Sequence, residues 1–345
     1  MADFADLRRL INGPFYQKPL PAIWNFLPSP VSAVGGVPSF LKYYFDVEEK
    51  MRLQLKLKEA LPEALIIPGV FPDLGVVVEA SAFGGQISWF EDGAPFISPM
   101  IRNTSDIDSL KAPRAGFTGL MPLVLAQREV MRRKLEEGGQ RVEQWAFSMG
   151  PAEISGLLLG YEKFYFALYD DFGRLRKLMD LVTDFVLEWI RIQEKTCGDI
   201  SVMAIADHVM SQVSPQLARE MIFPFLKSIF STFPKAARIY HNEGFHSDEH
   251  IKLVLALGAD IWHFGSDVHD LSDLYSKVGD QVVLFGGLDP HGVISAGSPE
   301  EVWEETRRVV RKAEGHRLVL STGTGTTPET TLENQRAMVR AALVA

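Results

Sequence analysis

A repeated alternation in the second half of the chain constrains the fold more than any other feature of the sequence. At least five times after residue 200, a short apolar run ends in polar residues or glycine, and an amphipathic stretch follows. The apolar runs have the length of buried strands, and the amphipathic stretches have the spacing of helices that cover a sheet. Because the chain has 345 residues and no nucleotide-binding fingerprint, we expect an α/β fold whose strands close into a (β/α)8 TIM barrel.

The beginning of the chain lacks this alternation. Residues 1–60 are rich in proline and glycine, and they predict a helical and loop decoration of the barrel. Within them, Asp3–Ile11 is typical of a short helix, Pro19–Phe26 of a short strand, and Phe40–Leu61 of a longer helix. Three further strands are predicted before residue 150, at Ala64–Ile67, Gln86–Phe90 and Val142–Ser148. No linker or change of composition divides the chain, so residues 61–345 are expected to form the barrel of a single domain.

Charge and cysteine content limit the compartment and the partners. The formal net charge is −9, which disfavours nucleic acid and anionic membranes as partners. The single cysteine, Cys197, cannot form an internal disulfide, which fits a reducing compartment. The first residues carry acids where a secretory signal needs bases, and no apolar run approaches the roughly 20 residues of a membrane span. We therefore expect a cytoplasmic protein with no nucleic-acid or membrane partner.

A histidine and a glutamate at the end of one predicted strand are the strongest candidates for chemistry. His241 and Glu243 are two residues apart, so their side chains can point to the same side of a strand and share a proton or a metal ion. Asp207 and His208 end the preceding predicted strand, and Asp267 follows the next one. We expect His241, Glu243 and Asp207 to be catalytic and His208 and Asp267 to bind substrate, although Asp207 and Asp267 could instead cap the helices that follow.

The last predicted strand ends in a stretch rich in threonine and glycine, from Ser321 to Pro328. Its hydroxyl and backbone N–H groups, with Thr324 and Gly325 at the centre, predict a wall that binds an anion or a carbonyl oxygen. No lysine follows in the position that a P-loop requires. The alternative interpretation of this stretch, and of the one around His241, is an ordinary loop between a strand and a helix.

Several of these stretches, taken in order, resemble the uroporphyrinogen decarboxylase superfamily. The resemblance is strong from Gly150 onward, and the stretches that carry it are Gly150–Glu153, Ile205–His208, Ser214-Pro215, Phe223–Lys227, Tyr240–Gly244, Gly286–Pro290 and Thr324–Pro328 with Leu332–Asn334. It implies a (β/α)8 barrel with the active site at the carboxyl ends of the strands. It also implies one of two chemistries: decarboxylation of uroporphyrinogen without a cofactor, or methyl transfer to or from a corrinoid carried on a separate protein.

The residues favour the methyltransferase branch of this superfamily. The decarboxylase binds its carboxylates with an arginine-rich N-terminal segment, and the comparable stretch here, Ile23–Ser29, has no arginine. Asp73 is the residue that matches the catalytic aspartate of the decarboxylase. The zinc-dependent methyltransferases use a His-x-Cys pair and a later cysteine, and here His241 is followed by Glu243, with Thr324 at the later position. A thiolate zinc site is therefore not expected, and any bound metal would be held by His241 and Glu243.

We accordingly expect a methyltransferase that moves a methyl group between a small molecule and a corrinoid on a partner protein. A methyl ether, a methylamine-type donor and a tetrahydrofolate acceptor all fit, because each needs a proton on oxygen or nitrogen as the methyl group moves. Asn242, His208, Asp267, Thr324, Gly325 and Asp73 would bind the small molecule. Two alternatives remain: a cofactor-free decarboxylase acting on uroporphyrinogen or a smaller acid, and a barrel that binds a ligand without catalysis.

Overall fold

The computed structural model describes residues 2–13, 18–26, 29–36, 39–140 and 142–344, and in this part of the chain eight parallel strands form one sheet. The strands, numbered in chain order, are β1 Leu20–Trp24, β2 Leu65–Ile67, β3 Trp145–Met149, β4 Val202–Ala206, β5 Ala237–Asn242, β6 Ile261–Phe264, β7 Val283–Leu288 and β8 Leu318–Thr322. Their side chains are almost all buried, as expected for strands that are covered on both faces.

The order of the strands is that of a barrel. Hydrogen-bonded neighbours run β2-β1-β8-β7-β6-β5-β4-β3, and the pairing of β1 with β8 places Leu20 opposite Val319. β2 and β3 stand at the two ends of this order. Between them, the ring of Phe71, which follows β2, lies 6.5 Å from the ring of Phe147 in β3. The predicted (β/α)8 TIM barrel is confirmed.

Helices connect the strands and cover the outside of the barrel. The α-helices are Phe4–Asn12, Ser29–Ser32, Phe40–Phe45, Val47–Ala60, Val78–Ala82, Met121–Glu137, Pro151–Leu159, Tyr161–Asp170, Phe172–Cys197, Val209–Gln212, Pro215–Leu217, Phe223–Thr232, Asp248–Leu257, Leu271–Val278, Val293–Ala296, Pro299–Lys312 and Leu332–Val344. A 3₁₀ helix spans Thr104–Ser109, and a π-helical turn at Ala218–Ile222 joins two of the α-helices. No helix among the described residues is long and apolar enough to cross a membrane.

Strand β1 corrects the predicted boundary of the N-terminal decoration. It lies within the first 60 residues, yet it is hydrogen-bonded on one side to β8 and on the other to β2, with Ala22 opposite Leu65. The barrel therefore begins at Leu20. The strand itself was predicted, but its place in the barrel was not, because that place depends on pairing with β8, which lies far along the chain.

Two other predicted elements differ from the structure. The helix expected at 40–61 is two helices, because Asp46 leaves the helical conformation and its carboxylate accepts the N–H groups of Glu48 and Glu49, which starts the second helix. The strand expected at 86–90 is not a barrel strand. Only Ile87–Ser88 is extended, and it pairs antiparallel with Phe96–Ile97 in a small separate ribbon.

Alternation along β5 carries polar side chains to the top of the barrel interior. Ile239 and His241 point to the same side of the strand, and His241 is the nearer of the two to the carboxyl end. The ring of His241 stacks there on that of Trp24, with ring centroids 4.9 Å apart. At the opposite end, the first helix packs Phe4 against Trp145, with ring centroids 5.8 Å apart. The barrel core is thus apolar toward the amino ends of the strands and polar toward their carboxyl ends, which positions a site at the carboxyl ends.

Candidate active site

A cavity of about 500 Å³ lies at the carboxyl ends of the barrel strands. Strand ends and the loops after β2 and β8 form most of its wall, and aromatic rings make up much of that wall. The lining side chains with chemistry or aromatic surface are Trp24, Phe26, Phe71, Asp73, Glu79, Phe147, Trp189, Gln193, His208, His241, Glu243, His291, Thr324, Thr326, Thr327 and Glu329. No lysine or arginine is among the described residues that line it.

Three side chains converge at one wall of the cavity. Glu243 Oε2 is 2.7 Å from His208 Nε2 and 3.3 Å from His241 Nε2, and the three ligand atoms lie within 4.8 Å of one another. His208 Nε2 and Glu243 Oε2 are buried without a well-aligned hydrogen bond, although they are close enough for an ion pair. Each therefore keeps hydrogen-bonding capacity toward a ligand. His241 and Glu243 were predicted together, and the structure adds His208 to them.

His208 is held as a cation by two carboxylates. Its Nδ1 lies 2.8 Å from Glu153 Oε1, on the side opposite Glu243, and the hydroxyl of Tyr161 donates to the other oxygen of Glu153. Burial would lower the pKa of His208, but the carboxylates of Glu153 and Glu243 outweigh it and raise this pKa to about 10. Burial alone would raise the pKa of Glu243, but the hydrogen bond and the positive charge of His208 hold it well below its usual range. The imidazolium and Glu243 are thus both charged at neutral pH.

His241 presents a lone pair to the same point. The carbonyl of Thr322 can only accept, so His263 Nε2, 3.1 Å away, must donate to it. His263 Nδ1 is then an acceptor, and it receives the Nδ1–H of His241 over 2.9 Å. The Nε2 of His241 consequently carries no proton, a tautomer assigned from the hydrogen-bond chain. Burial lowers the pKa of His241 to about 4, which agrees with a neutral ring.

Asp207 and Asn242 support the site from behind and do not line the cavity. The Oδ2 of Asp207 accepts the N–H of Ala152 at 3.1 Å, at the start of the helix after β3, and burial together with the charge of Glu153 raises its pKa to about 7. Asn242 donates to the backbone carbonyl of Asp207 and accepts from the N–H of Gly244, at 2.8 and 2.9 Å. Asp207 makes no cap on Val209–Gln212, the helix that follows it, and contacts instead the start of the helix after β3. The hydrogen bonds of Asn242 are structural.

The remaining predicted residues divide into two groups. Asp73, Thr324 and Gly325 line the cavity. Asp73 is 3% exposed, its Oδ1 accepts the N–H of Gly75, and its backbone carbonyl accepts from Lys50. Asp267, three residues beyond the end of β6, is exposed and does not line the cavity.

Several residues of the site were not predicted as functional, and four of them bear on its chemistry. Glu153 and His263 contact the predicted histidines, and Trp24 and Glu79 line the cavity. Glu153 had a usable signal, since it follows the Gly150-Pro151 pair at the end of a predicted strand. Glu79 had none, because it lies on a five-residue helix that no periodicity marks.

Comparisons with known proteins agree with this architecture. Residues 23–343 match the uroporphyrinogen decarboxylase (URO-D) family. A methylated-thiol–coenzyme M methyltransferase of Methanosarcina mazei is 24% identical over 88% of this chain and 78% of its own length. A uroporphyrinogen decarboxylase of Nostoc punctiforme is 25% identical over 88% of this chain and 89% of its own.

A solved structure has the same fold. It is a methyltransferase from Methanosarcina mazei, with a TM-score of 0.81 and 19% sequence identity over 98% of this chain and 97% of that one. The match to the family covers nearly the whole chain, from within β1 to the last helix. The chain belongs to the uroporphyrinogen decarboxylase (URO-D) family.

Proposed function

We propose that this chain transfers a methyl group between a small molecule and a corrinoid carried on a partner protein. The observation that carries the proposal is the composition of the cavity, which combines the cluster of His208, His241 and Glu243 with an aromatic wall and has no lysine or arginine among its described lining residues. The relative in Methanosarcina mazei named as a methyltransferase supports methyl transfer in general.

The charge of the cavity disfavours the decarboxylase alternative. Uroporphyrinogen carries many carboxylates, and each needs a cation or several N–H donors when it leaves water. Four of the lining residues are acids, namely Asp73, Glu79, Glu243 and Glu329. The positive charge of His208 is already shared between Glu153 and Glu243. A polyanion would therefore be repelled where the decarboxylase must hold it.

The cluster can deliver the proton that demethylation requires. When a methyl ether loses its methyl group, the electron pair of the C–O bond stays on oxygen, so the alkoxide or phenoxide needs a proton. His208 Nε2 would donate it, Glu243 would stabilise the imidazolium, and the lone pair of His241 Nε2 would orient the group. The pKa of His208, about 10, matches the pKa of a phenol, which is also about 10, so His208 can protonate the phenoxide that leaves. A methylamine-type donor needs the same proton at its nitrogen, whereas tetrahydrofolate as acceptor would release the proton of its attacking nitrogen to the cluster.

The corrinoid, when bound, supplies the atom that accepts or releases the methyl group. The residues of this chain bind the small molecule, exclude water and hold the proton. Asp73, Thr324 and Gly325 form the part of the wall contributed by the loops after β2 and β8, and Trp24 packs against His241 from the β1 side.

The same three atoms fit a divalent metal ion. Two imidazole nitrogens and one carboxylate oxygen are a known ligand set for catalytic zinc. The Nδ1 atom of each imidazole also has a hydrogen-bond partner, which is Glu153 for His208 and His263 for His241. Metal-binding histidines usually have a partner of this kind on the nitrogen that does not bind the metal. A metal bound by His208, His241 and Glu243 would supply Lewis acidity in place of the proton. No thiolate is available there, so the metal would have only nitrogen and oxygen ligands.

A turnover assay tests the proposal. The purified chain is supplied with reduced cobalamin and, in turn, a methoxyphenol, methanol, dimethylamine and methyltetrahydrofolate, and methylcobalamin is measured by its visible absorbance. We expect formation with at least one donor. Carbon dioxide release from uroporphyrinogen without cobalamin would support the decarboxylase, and no turnover with any substrate would support a ligand-binding barrel. Metal analysis of chain purified without chelators separates the metal route from the proton route.

A further inference from the structure

A second buried acid in the cavity lies apart from the His208 cluster and has no part in the proposed proton transfer. Glu79, on the short helix Val78–Ala82, is 2% exposed and lines the cavity. Interactions with Ser148 and Met149 of β3, and with the indole of Trp189 on the helix Phe172–Cys197, stabilise the charged form of its carboxylate. Burial raises the pKa of Glu79 to about 7, since these interactions offset only part of the desolvation.

Glu79 differs from its neighbours because no cation compensates it. Among the other acids of the cavity, Glu243 lies beside His208, and Asp73 lies near the ammonium group of Lys50. No lysine, arginine or histidine in the described part of the chain forms an ion pair with Glu79. A buried carboxylate of this kind is costly unless a positive charge reaches it. A ligand is the available source of that charge.

The wall of the cavity suits a cationic ligand as well. Phe26 lies at the centre of an aromatic cluster, with ring centroids 4.5 Å from Trp24, 4.5 Å from Phe147 and 5.7 Å from Phe71. All four rings line the cavity, and the indole of Trp189 lies beside Glu79. Aromatic faces attract ammonium groups, most strongly where water is excluded.

We propose that Glu79 is a specificity-determining residue that selects small molecules carrying a protonated amine or a quaternary ammonium group, bound between its carboxylate and the aromatic wall. The inference rests on the proposed function, because it describes the far end of a substrate whose methylated oxygen or nitrogen lies at the His208 cluster. The cavity then has two recognition points, one for the charge and one for the chemistry.

Binding of three probes of one shape tests the inference. Benzylammonium, benzyl alcohol and benzoate differ mainly in charge, and their binding to the full chain is measured by calorimetry above the pKa of Glu79, without corrinoid. We expect benzylammonium to bind about tenfold or more tightly than benzoate, as a charge-assisted hydrogen bond implies. Glu79→Gln should weaken benzylammonium by a similar factor and leave benzyl alcohol unchanged. The matched control is Glu162→Gln, which removes one carboxylate from an exposed position outside the cavity and should leave the affinity for benzylammonium unchanged.

The outcomes separate this inference from the proposed function. Benzoate binding as tightly as benzylammonium, undetectable benzylammonium binding, or unchanged benzylammonium affinity in a folded Glu79→Gln chain would each overturn it. If Glu79→Gln fails to fold, the ranking of the probes on the unmodified chain decides. Because no probe is methylated and no corrinoid is present, a failed methyl-transfer assay leaves this result intact, and the reverse also holds.

Discussion

Replacing Glu153 by glutamine tests whether this residue sets the charge of the site. Glu153 Oε1 lies 2.8 Å from His208 Nδ1, and in the variant a neutral amide oxygen would accept the same N–H. A hydrogen bond between charged groups contributes roughly 1.5–3 kcal/mol, and about 1.4 kcal/mol corresponds to one pH unit. The pKa of His208, raised to about 10 in the unmodified chain, should therefore fall by roughly one to two pH units.

Two measurements follow this change. A nuclear magnetic resonance titration of the imidazole signals reports the pKa of His208 directly. Chemical unfolding as a function of pH reports its consequence for stability. Because the pKa of His208 is raised on folding, its contribution to the free energy of unfolding is complete below about pH 6.5 and is lost as the pH rises through about 10. In Glu153→Gln this loss should occur at lower pH.

The control for this experiment is Glu162→Gln. Glu162 is exposed on the helix Tyr161–Asp170, so its replacement changes the net charge equally without touching His208. The pKa of His208 should be nearly unchanged in the control. If it is also unchanged in Glu153→Gln, or rises, then the carboxylate of Glu153 does not stabilise the imidazolium and the assigned charges are wrong.

Four further substitutions have defined outcomes. Glu243→Gln should lower turnover by about 10²–10⁴-fold in a chain that still folds, and wild-type activity would remove Glu243 from the mechanism. Trp24→Ala should lower the free energy of unfolding by about 3–5 kcal/mol in urea titrations, because it opens a void beside His241, and a loss below 1 kcal/mol would contradict the packing described. Gly150→Ala should strongly destabilise the chain, since a β-carbon there would overlap the carboxylate of Asp207. Gly173→Ala has free space around the new β-carbon and should be neutral or slightly stabilising. Equal melting temperatures of the two variants would refute this difference.

The fold was predictable because its signals are local. Strands such as β4 and β5 are short apolar runs that end in polar residues, and the helix from Phe172 to Cys197 shows one apolar face. β1 was placed outside the barrel because its role depends on pairing with β8, whose residues lie about 300 positions later in the chain. Such long-range pairing leaves no periodic signal in the strand itself.

The site was predictable only in part for the same reason. His241, Glu243 and His208 stand at strand ends, and a parallel barrel brings strand ends together. Their supports, Glu153 and His263, were missed because a histidine inside a strand and an acid inside a helix have many ordinary roles. Asp267 lies outside the cavity wall, since a position just beyond a strand end does not determine where the side chain points.

The central claim is that this chain moves a methyl group, and following the methyl carbon tests it most directly. A methyl donor with a ¹³C-labelled methyl group is incubated with the chain and reduced cobalamin, and mass spectrometry identifies the labelled product. Label in methylcobalamin, at a rate that falls in Glu243→Gln, is the predicted result. Label that stays in the donor for every donor class, with carbon dioxide released from a carboxylate substrate instead, would contradict the claim.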